Sequence, residues 1–190
     1  MKKRTKIVFV CTGNTCRSPM AEMLLKKKLK ALKLTGAKVC SAGLHATPGL
    51  PMNEKSAQTL RNKGIRGVKF LSKQLDEKLL KESLAVVCMT DKQRDIVTDM
   101  RWEILRKAGE KDIENNVYSF SEIAGYQVID PYGQGLDCYE YVFGLLDGGM
   151  DALVDKIFPE SIRQEYVTKP RKTQPKTQKK IEKVEQMSLF

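Results

Sequence analysis

The sequence predicts an α/β protein with three layers, in which a four-stranded parallel sheet has helices on both faces. Short apolar segments rich in β-branched residues alternate along the chain with longer segments whose apolar residues recur at helical spacing. Glycine or proline stands near the ends of most of these segments. Strands that alternate with helices form parallel sheets, and such sheets bind ligands at the carboxyl ends of their strands.

The first predicted strand and the first predicted helix flank a polar loop. Residues 6–10 (Lys-Ile-Val-Phe-Val) are apolar and β-branched, which is typical of a buried strand. Residues 11–18 are polar and include a glycine, so we predict a loop there. Pro19 suits the first turn of a helix, and apolar residues recur at helical spacing over 20–34 before a glycine ends the pattern.

Three shorter elements are predicted in the middle of the chain. Residues 38–41 predict a second strand, which a loop through Pro51 follows. Residues 54–62 have a helical pattern that ends before a glycine. Asp76 can cap a short helix that extends to Glu82.

The second half of the chain repeats the alternation. Residues 84–89 predict a third buried strand, 91–107 a long helix that ends before a glycine, and 117–120 a fourth strand. A loop of about twenty residues follows, and loops of that length tend to be functional. Residues 139–158 predict the last helix, which a pair of glycines interrupts.

Composition excludes several classes of protein. The chain has five cysteines, an odd number at irregular spacing, which disfavours a disulfide framework and favours a reducing cytoplasm. Because no Cys-x-x-Cys occurs and His45 is the only histidine, we predict neither a metal site nor a cofactor.

His45 lies in a loop with glycine and proline, which favours a surface residue over a catalytic one. The apolar runs are too short for a secretory or membrane-spanning segment, so we expect no membrane partner.

The most informative segment is the loop at residues 10–19, Val-Cys-Thr-Gly-Asn-Thr-Cys-Arg-Ser-Pro. A loop from a buried strand into a helix N-terminus can direct backbone N–H groups at one anion, and Gly13 allows a tight turn. Arg17 can return to the same centre and hold two phosphate oxygens in a fork. The same positive field favours the thiolate of Cys11, and Ser18 can donate a hydrogen bond to that sulfur when it leaves. These features predict a phosphate-binding catalytic loop. A small, inert cysteine at a strand end is the alternative.

The sequence from Cys11 to Glu22 resembles the signature of the low-molecular-weight protein tyrosine phosphatase family almost residue for residue. Ser41-Ala-Gly43 is similar to the next loop of that family, and Asp130-Pro-Tyr132 is similar to its acid loop. The resemblance covers about residues 5–160 in order and spacing.

The resemblance implies a cysteine-dependent phosphatase that acts on phosphorylated proteins and releases inorganic phosphate. Cys11 would attack phosphorus, Arg17 would hold the oxygens, and Asp130 would protonate the leaving atom and then activate water. The implied phosphate-binding loop comprises Thr12, Gly13, Asn14, Thr15, Cys16 and Ser18, with Ser41 as a support and Tyr132 as a wall of the substrate cleft. As in the family, Cys16 would form a reversible disulfide with Cys11 on oxidation, whereas simple packing beneath the loop is the alternative.

One position departs from the family pattern. Many members have a histidine near residue 70 that orients the loop asparagine. This chain has Lys69-Phe70-Leu71 there, which leaves open what holds Asn14.

Two positions bear on the substrate. Tyrosine phosphatases of the family usually carry a bulky aliphatic residue where this chain has Thr15, and threonine there is similar to the bacterial protein-arginine phosphatase branch. Gly133 follows Tyr132 where tyrosine-selective members often have a second aromatic residue, and fewer aromatic walls weaken stacking on a phenyl ring. We therefore expect phosphoarginine in proteins as the substrate. Phosphotyrosine is the alternative, with both positions neutral.

Two other functions share the fold. A thiol-linked arsenate reductase needs further cysteines, and Cys88 ends the third strand, but no partner cysteine follows nearby. Cys88 is better interpreted as buried core. A binding protein on an inactive phosphatase scaffold is disfavoured because the three catalytic residues are all present.

The chain divides into a catalytic domain at residues 1–166 and a basic tail at residues 167–190. The tail carries +5 of the net charge of +11, and its composition of Lys, Thr, Gln and Pro predicts disorder. Such a tail suits nucleic acid, an acidic protein or anionic lipid, or it serves only for solubility. Gln186-Met-Ser-Leu-Phe190 resembles the short motif by which bacterial replication and repair proteins bind the sliding clamp.

Overall fold

The computed structural model describes residues 4–110 and 113–167. The predicted tail lies outside the described residues apart from its first residue, Val167. The proposed domain boundary, the disorder of the tail and its partners, the sliding clamp included, therefore stay predictions.

Four parallel strands form one sheet in the spatial order β2-β1-β3-β4, and helices cover it. The fold class predicted from the sequence is confirmed. The strands are β1 (Lys6–Cys11), β2 (Lys38–Gly43), β3 (Ser83–Cys88) and β4 (Val117–Ser119). The helices are α1 (Arg17–Ala31), α2 (Glu54–Asn62), α3 (Glu77–Glu82), α4 (Asp91–Lys107), α5 (Phe120–Ala124), α6 (Leu136–Gly148), α7 (Met150–Ile157) and α8 (Glu160–Arg163), followed by a 3₁₀ turn (Gln164–Tyr166).

The alternation of side chains along β1 builds two cores, one on each face of the sheet. Ile7 and Phe9 are fully buried in the larger core, together with apolar residues of α1, α6 and α7. Val8 and Val10 are fully buried in the smaller core, with apolar residues of α3 and α4. Because β1 lies inside the sheet and is covered on both faces, its carboxyl end is a rigid place from which to start a loop.

The fourth predicted strand, 117–120, was too long by one residue. Phe120 is the first residue of α5, because Ser119 and Glu122 form a capping box that starts a helix there. The predicted loop of about twenty residues therefore begins with a short helix that the sequence analysis missed.

The predicted helix 139–158 is two helices, and the first of them begins three residues earlier, at Leu136. Gly149 lies between them. A Cβ atom on Gly149 would lie 2.5 Å from two ring carbons of Phe120, so only glycine allows the chain to pack against that ring. The predicted first helix, 20–34, is shifted, because Arg17 already lies in its first turn and Lys33 has a left-handed φ of 59° after its end.

Two clefts of similar size lie at opposite edges of the sheet. The carboxyl-edge cleft is about 720 Å³ and is lined by the loop after β1. The amino-edge cleft is about 760 Å³ and is lined by residues at the starts of the strands, such as Lys6 and Lys38. In the part of the chain that the structure describes, no helix has the length and apolar character to span a membrane.

Candidate active site

The carboxyl-edge cleft collects most of the residues that the sequence singled out. The loop after β1 forms its floor through Cys11, Thr12, Gly13, Thr15, Cys16 and Arg17. The segment after β2 forms one wall, with His45 and residues 50–54, and Asp130 and Tyr132 form another. His45 is exposed, as expected of a surface-loop residue. The predicted residues Asn14, Ser18 and Ser41 are buried behind the floor.

Cys11 is the last residue of β1 and is 3% exposed, at the base of the cleft. Its Sγ lies 3.0 Å from the Oγ of Ser18. Gly43 is its partner on β2, and a Cβ atom there would lie 2.6 Å from the carbonyl oxygen of Thr12. Glycine at this position is therefore what allows β2 and the loop to approach so closely.

Asn14 is fully buried and has a left-handed φ of 55°, which asparagine tolerates better than most residues. Its Nδ2 donates to Ser18 Oγ and to Ser41 Oγ, both at 2.9 Å. Its Oδ1 accepts the backbone N–H of Lys73 at 2.8 Å. These three contacts answer the question that the missing histidine left open. A main-chain group orients Asn14, so no particular side chain is needed near residue 70.

Arg17 is 4% exposed and its guanidinium lies against the cleft. Nη1 donates to the carbonyl of Val128 at 3.3 Å, and Nη2 pairs with Oδ2 of Asp130 at 2.5 Å. Its buried Nε has no hydrogen-bond partner among the described residues. A buried N–H without a partner is costly, and an anion oxygen in the cleft would satisfy it.

The main chain of the loop adds further donors. The backbone N–H groups of Gly13, Thr15 and Cys16 donate to no other group in the described part of the chain. Unpaired N–H groups in a loop that leads into a helix N-terminus can form an anion-binding concavity. Together with the guanidinium, the loop is suited to bind a phosphate directly above the Cys11 sulfur.

The acid loop places Asp130 at the mouth of the cleft with half of its side chain exposed. Its Oδ1 accepts the backbone N–H of Tyr132 at 3.2 Å, which fixes the turn. A carboxyl group held there can move from the Arg17 guanidinium to a leaving atom on a bound phosphate.

Cys16 lies under the loop, with its Sγ 3.7 Å from the Tyr139 hydroxyl and 3.7 Å from the Thr15 hydroxyl. Burial raises the pKa of the Cys16 thiol, and burial likewise raises the pKa of Tyr139. Cys88 is fully buried, and burial raises the pKa of its thiol well above the ordinary range. The surroundings of Cys88 suit a core residue and disfavour the arsenate-reductase alternative.

Several groups that shape the candidate active site could not be predicted from the sequence. The N–H of Lys73 and the 50–54 wall reach the loop only through tertiary contacts. The N–H of Asn53, for example, donates to the carbonyl of Thr15 at 3.0 Å. Glu22 was inside the recognised segment without a role, and it bonds to Ser41. No group of three or more His, Cys, Asp or Glu residues suited to a metal occurs in residues 4–110 and 113–167.

Comparison with known proteins adds three findings. A profile of the family described as low molecular weight phosphotyrosine protein phosphatase matches residues 6–167. A protein-arginine-phosphatase of Geobacillus stearothermophilus is 32% identical over 155 residues, which are 82% of this chain and 97% of that protein. A probable low molecular weight protein-tyrosine-phosphatase, EpsP, of Ralstonia nicotianae is 29% identical over 151 residues, which are 80% of this chain and 94% of that protein.

A solved structure extends the comparison to three dimensions. It is described as YwlE arginine phosphatase, a cysteine-to-serine mutant with a phosphorylated active-site serine. It superposes with a TM-score of 0.71 and 27% sequence identity, covering 83% of this chain and 99% of that one.

Proposed function

Because the chain belongs to the low molecular weight phosphotyrosine protein phosphatase family and is a cysteine-dependent protein phosphatase, we propose that it hydrolyses phosphoarginine in proteins through a cysteinyl-phosphate on Cys11. The observation that carries this proposal is the cleft floor. There the Arg17 Nε and three loop N–H groups lack partners in the described part of the chain, beside a cysteine at the base of the cleft.

The first chemical step is attack of the Cys11 sulfur on phosphorus. Arg17 and the loop N–H groups hold the non-bridging oxygens, where negative charge is greatest, and the positive field keeps the sulfur nucleophilic. The S–P bond forms as the P–N bond breaks. The leaving guanidine nitrogen takes a proton from Asp130, so the neutralised guanidine departs and Asp130 remains as a carboxylate. The phosphorylated serine at the active site of the cysteine-to-serine YwlE mutant supports this location of the nucleophile.

The second step is hydrolysis of the cysteinyl-phosphate. The Asp130 carboxylate takes a proton from a water molecule while the water oxygen attacks phosphorus. The S–P bond breaks, the electron pair returns to sulfur, and inorganic phosphate leaves. Ser18 donates a hydrogen bond to the sulfur as negative charge returns to it, consistent with the 3.0 Å contact.

Thr15 and the acidic groups of the cleft favour phosphoarginine over phosphotyrosine. Of the described residues that line the cleft, only Tyr132 carries a six-membered aromatic ring, and it is 72% exposed. A phenyl ring would therefore gain little stacking. A phosphorylated guanidinium is polar and planar, and the hydroxyl of Thr15 and the carboxylates of Asp130 and Glu54 line the cleft that would receive it.

The test compares phosphoarginine and phosphotyrosine in the same peptide, with Thr15→Ile beside the native chain. We expect Thr15→Ile to lower kcat/KM for phosphoarginine about 10-fold or more relative to phosphotyrosine, since the hydroxyl is lost and the wall becomes bulkier. Thr47→Ile is the matched control, because Thr47 lines the same cleft outside the loop. An unchanged ratio of the two activities in Thr15→Ile would refute the role of Thr15.

Phosphotyrosine is the second candidate, because a relative described as a low molecular weight protein-tyrosine-phosphatase is 29% identical over 80% of this chain. A native chain that hydrolyses phosphotyrosine faster than phosphoarginine would support this candidate. For either substrate we propose a reducing cytoplasm as the location, since all five cysteines are free and the mechanism needs a reduced thiol.

A further inference from the structure

We propose that a row of exposed lysines beside the first helix binds the phosphate backbone of a nucleic-acid strand. The row, called the lysine row below, consists of Lys27, Lys30, Lys33 and Lys38. None of these residues lines the cleft that contains Cys11. The proposal therefore does not depend on the phosphatase reaction.

The four lysines of the row are neighbours in the structure. Lys27 and Lys30 lie three residues apart on α1, and residues at that spacing are adjacent on a helix surface. The backbone N–H of Lys33 donates to the carbonyl of Lys30 at 3.2 Å in the turn that follows. Lys30 and Lys38 line one groove of about 420 Å³ beside β2, the outer strand of the sheet. The row is therefore one continuous surface.

No acidic residue neutralises this surface. The sequence contains no Asp or Glu from residue 23 to residue 53, and no ammonium group of the row pairs with a carboxylate of the described residues. The adjacent Lys26 and Lys28 do have such partners, in Glu22 and Asp151. The helix dipole favours cations at the end of α1, but the lysine at the start of β2 belongs to another element. The row therefore presents positive charge that the described protein leaves unpaired.

The groove beside β2 leads into the amino-edge cleft. Lys38 lines both, and five basic and three acidic residues line the cleft. Tyr166 also lines this cleft, and it stands just before the segment 167–190, whose sequence has seven Lys or Arg residues and two acids. Lys38 therefore joins two concave surfaces, each with an excess of positive charge.

The chemistry of this surface favours a nucleic-acid strand over other anionic partners. Protein interfaces are poor in lysine and depend on aromatic and arginine anchors. Of the described residues that line the groove and the amino-edge cleft, Tyr166 is the only aromatic one, and it is 4% exposed. An acidic protein therefore has no anchor here. A membrane surface is too flat to enter a groove, whereas a flexible strand can follow it. Without an exposed ring for the bases to stack on, we expect binding without sequence preference.

The test measures how tightly the full chain binds a fluorescent thymidine strand of about 20 nucleotides at several salt concentrations. We expect a Kd of roughly 1–100 µM at about 0.1 M salt, as in other sequence-independent complexes. Replacement of all four lysines of the row by glutamine should raise this Kd about 10-fold or more. The slope of log K against log salt should become shallower by about 3, since each lysine–phosphate contact on a single strand contributes about 0.7. Phosphopeptide turnover and thermal unfolding should stay native.

A matched control removes the same amount of charge from other faces of the protein. It replaces four exposed lysines outside the row by glutamine, namely Lys63, Lys69, Lys92 and Lys107. Its Kd should stay within about 3-fold of the native value, because only general attraction is reduced. If the fourfold variant of the row does not fold, Lys30→Gln with Lys38→Gln tests the groove, and this pair should raise Kd about 3-fold or more.

Four outcomes overturn the proposal. The first is a native chain that does not bind the strand even at about 50 mM salt. The second is native affinity in the variant of the row, which would assign binding to the rest of the chain, the segment 167–190 included. The third is an equal loss in the control, which would assign binding to net charge alone. The fourth is a variant that loses binding to phosphatidylserine vesicles or to polyglutamate but keeps binding to the strand, which would assign the row to lipid or to an acidic protein.

Discussion

The two clefts at opposite edges of the sheet are nearly equal in volume and differ in how their polar groups are satisfied. At the amino edge, charged side chains pair with one another across the cleft rim, as Arg4 does with Glu110 at 2.7 Å and Lys6 with Glu82. At the carboxyl edge Arg17 is buried at the floor of the cleft, and its Nε and three loop N–H groups have no partner among the described residues.

The two clefts therefore differ in hydrogen-bond donors that lack partners and not in volume, and such donors distinguish the cleft that we propose to be catalytic. Exposed ion pairs contribute little to stability and exchange readily with water and salt. Buried donors without partners cost free energy unless a ligand satisfies them, so such a site is retained for what it binds. Substitutions at the carboxyl edge should therefore change turnover, whereas those at the amino edge should change stability.

The largest expected effect is at Cys11. Cys11→Ser should abolish turnover of any phosphorylated substrate, because a hydroxyl at this position is a far weaker nucleophile and leaving group at neutral pH. Phosphate release measured under single-turnover and steady-state conditions checks this. Cys138→Ser, the same change on a partly exposed face of α6, should retain native turnover. Native activity in Cys11→Ser would contradict the assigned nucleophile.

Removing the proton donor should have the next largest effect. Asp130→Ala should lower kcat about 10²–10⁴-fold, the usual contribution of a positioned general acid. The loss should be smaller for an activated aryl phosphate, whose leaving group needs no proton. Comparison of kcat for the two kinds of substrate checks this, and an equal loss for both would argue against an acid role.

At the amino edge the largest effect should be on stability. Arg101 is 1% exposed and donates to Asn116 Oδ1 at 2.6 Å and to the Leu80 carbonyl at 3.0 Å. Arg101→Met leaves both acceptors buried without their donor, which should destabilise the fold by about 1–3 kcal/mol. Burial lowers the pKa of Arg101, which shows that the buried guanidinium carries a desolvation cost. Removal of that cost in Arg101→Met limits the loss of stability. Urea unfolding measures the change in the free energy of unfolding. The kcat at 25 °C should equal that of the native chain. A fall in kcat would contradict the proposed difference between the two edges of the sheet.

The smallest expected effect is at the exposed ion pair of Lys6 and Glu82. The hydrogen bond to Glu82 raises the pKa of Lys6 above the ordinary 10.5, so the folded state binds this proton more tightly than the unfolded state. The resulting stability is fully present below about pH 10.5 and is lost as pH rises through the folded pKa. Lys6→Gln should cost about 0.2–1 kcal/mol at pH 7 and less above pH 10.5. Urea unfolding at both pH values tests this, and a cost that grows with pH would contradict the pairing.

Local signals explain which parts of the fold could be predicted. The β-branched run of β1 and the proline in the first turn of α1 act within a few residues, so the strand and the helix after it were found nearly in place. The break at Gly149 was recognised in the sequence only as an interruption. In the structure Gly149 separates two helices, and the ring of Phe120, which is distant in sequence, packs against it.

The same division holds in the site. Cys11, Arg17 and Asp130 were predicted from their motifs, and the structure brings them to one cleft. The N–H of Lys73 could not be predicted, because a backbone donor leaves no mark in the residue type. Glu22 was visible as a residue, but its hydrogen bond with Ser41 depends on the packing of α1 against β2.

The distances along the chain that close the site have a consequence for protein synthesis. Asn14 and Lys73 lie 59 positions apart, and Arg17 and Asp130 lie 113 positions apart. A chain that leaves the ribosome from its N-terminus cannot complete these contacts until the acid loop has emerged, late in translation. For most of its synthesis the nucleophile is therefore an ordinary thiol on an unfinished chain. We expect Cys11 to become a reactive nucleophile only when the last third of the domain has been synthesised.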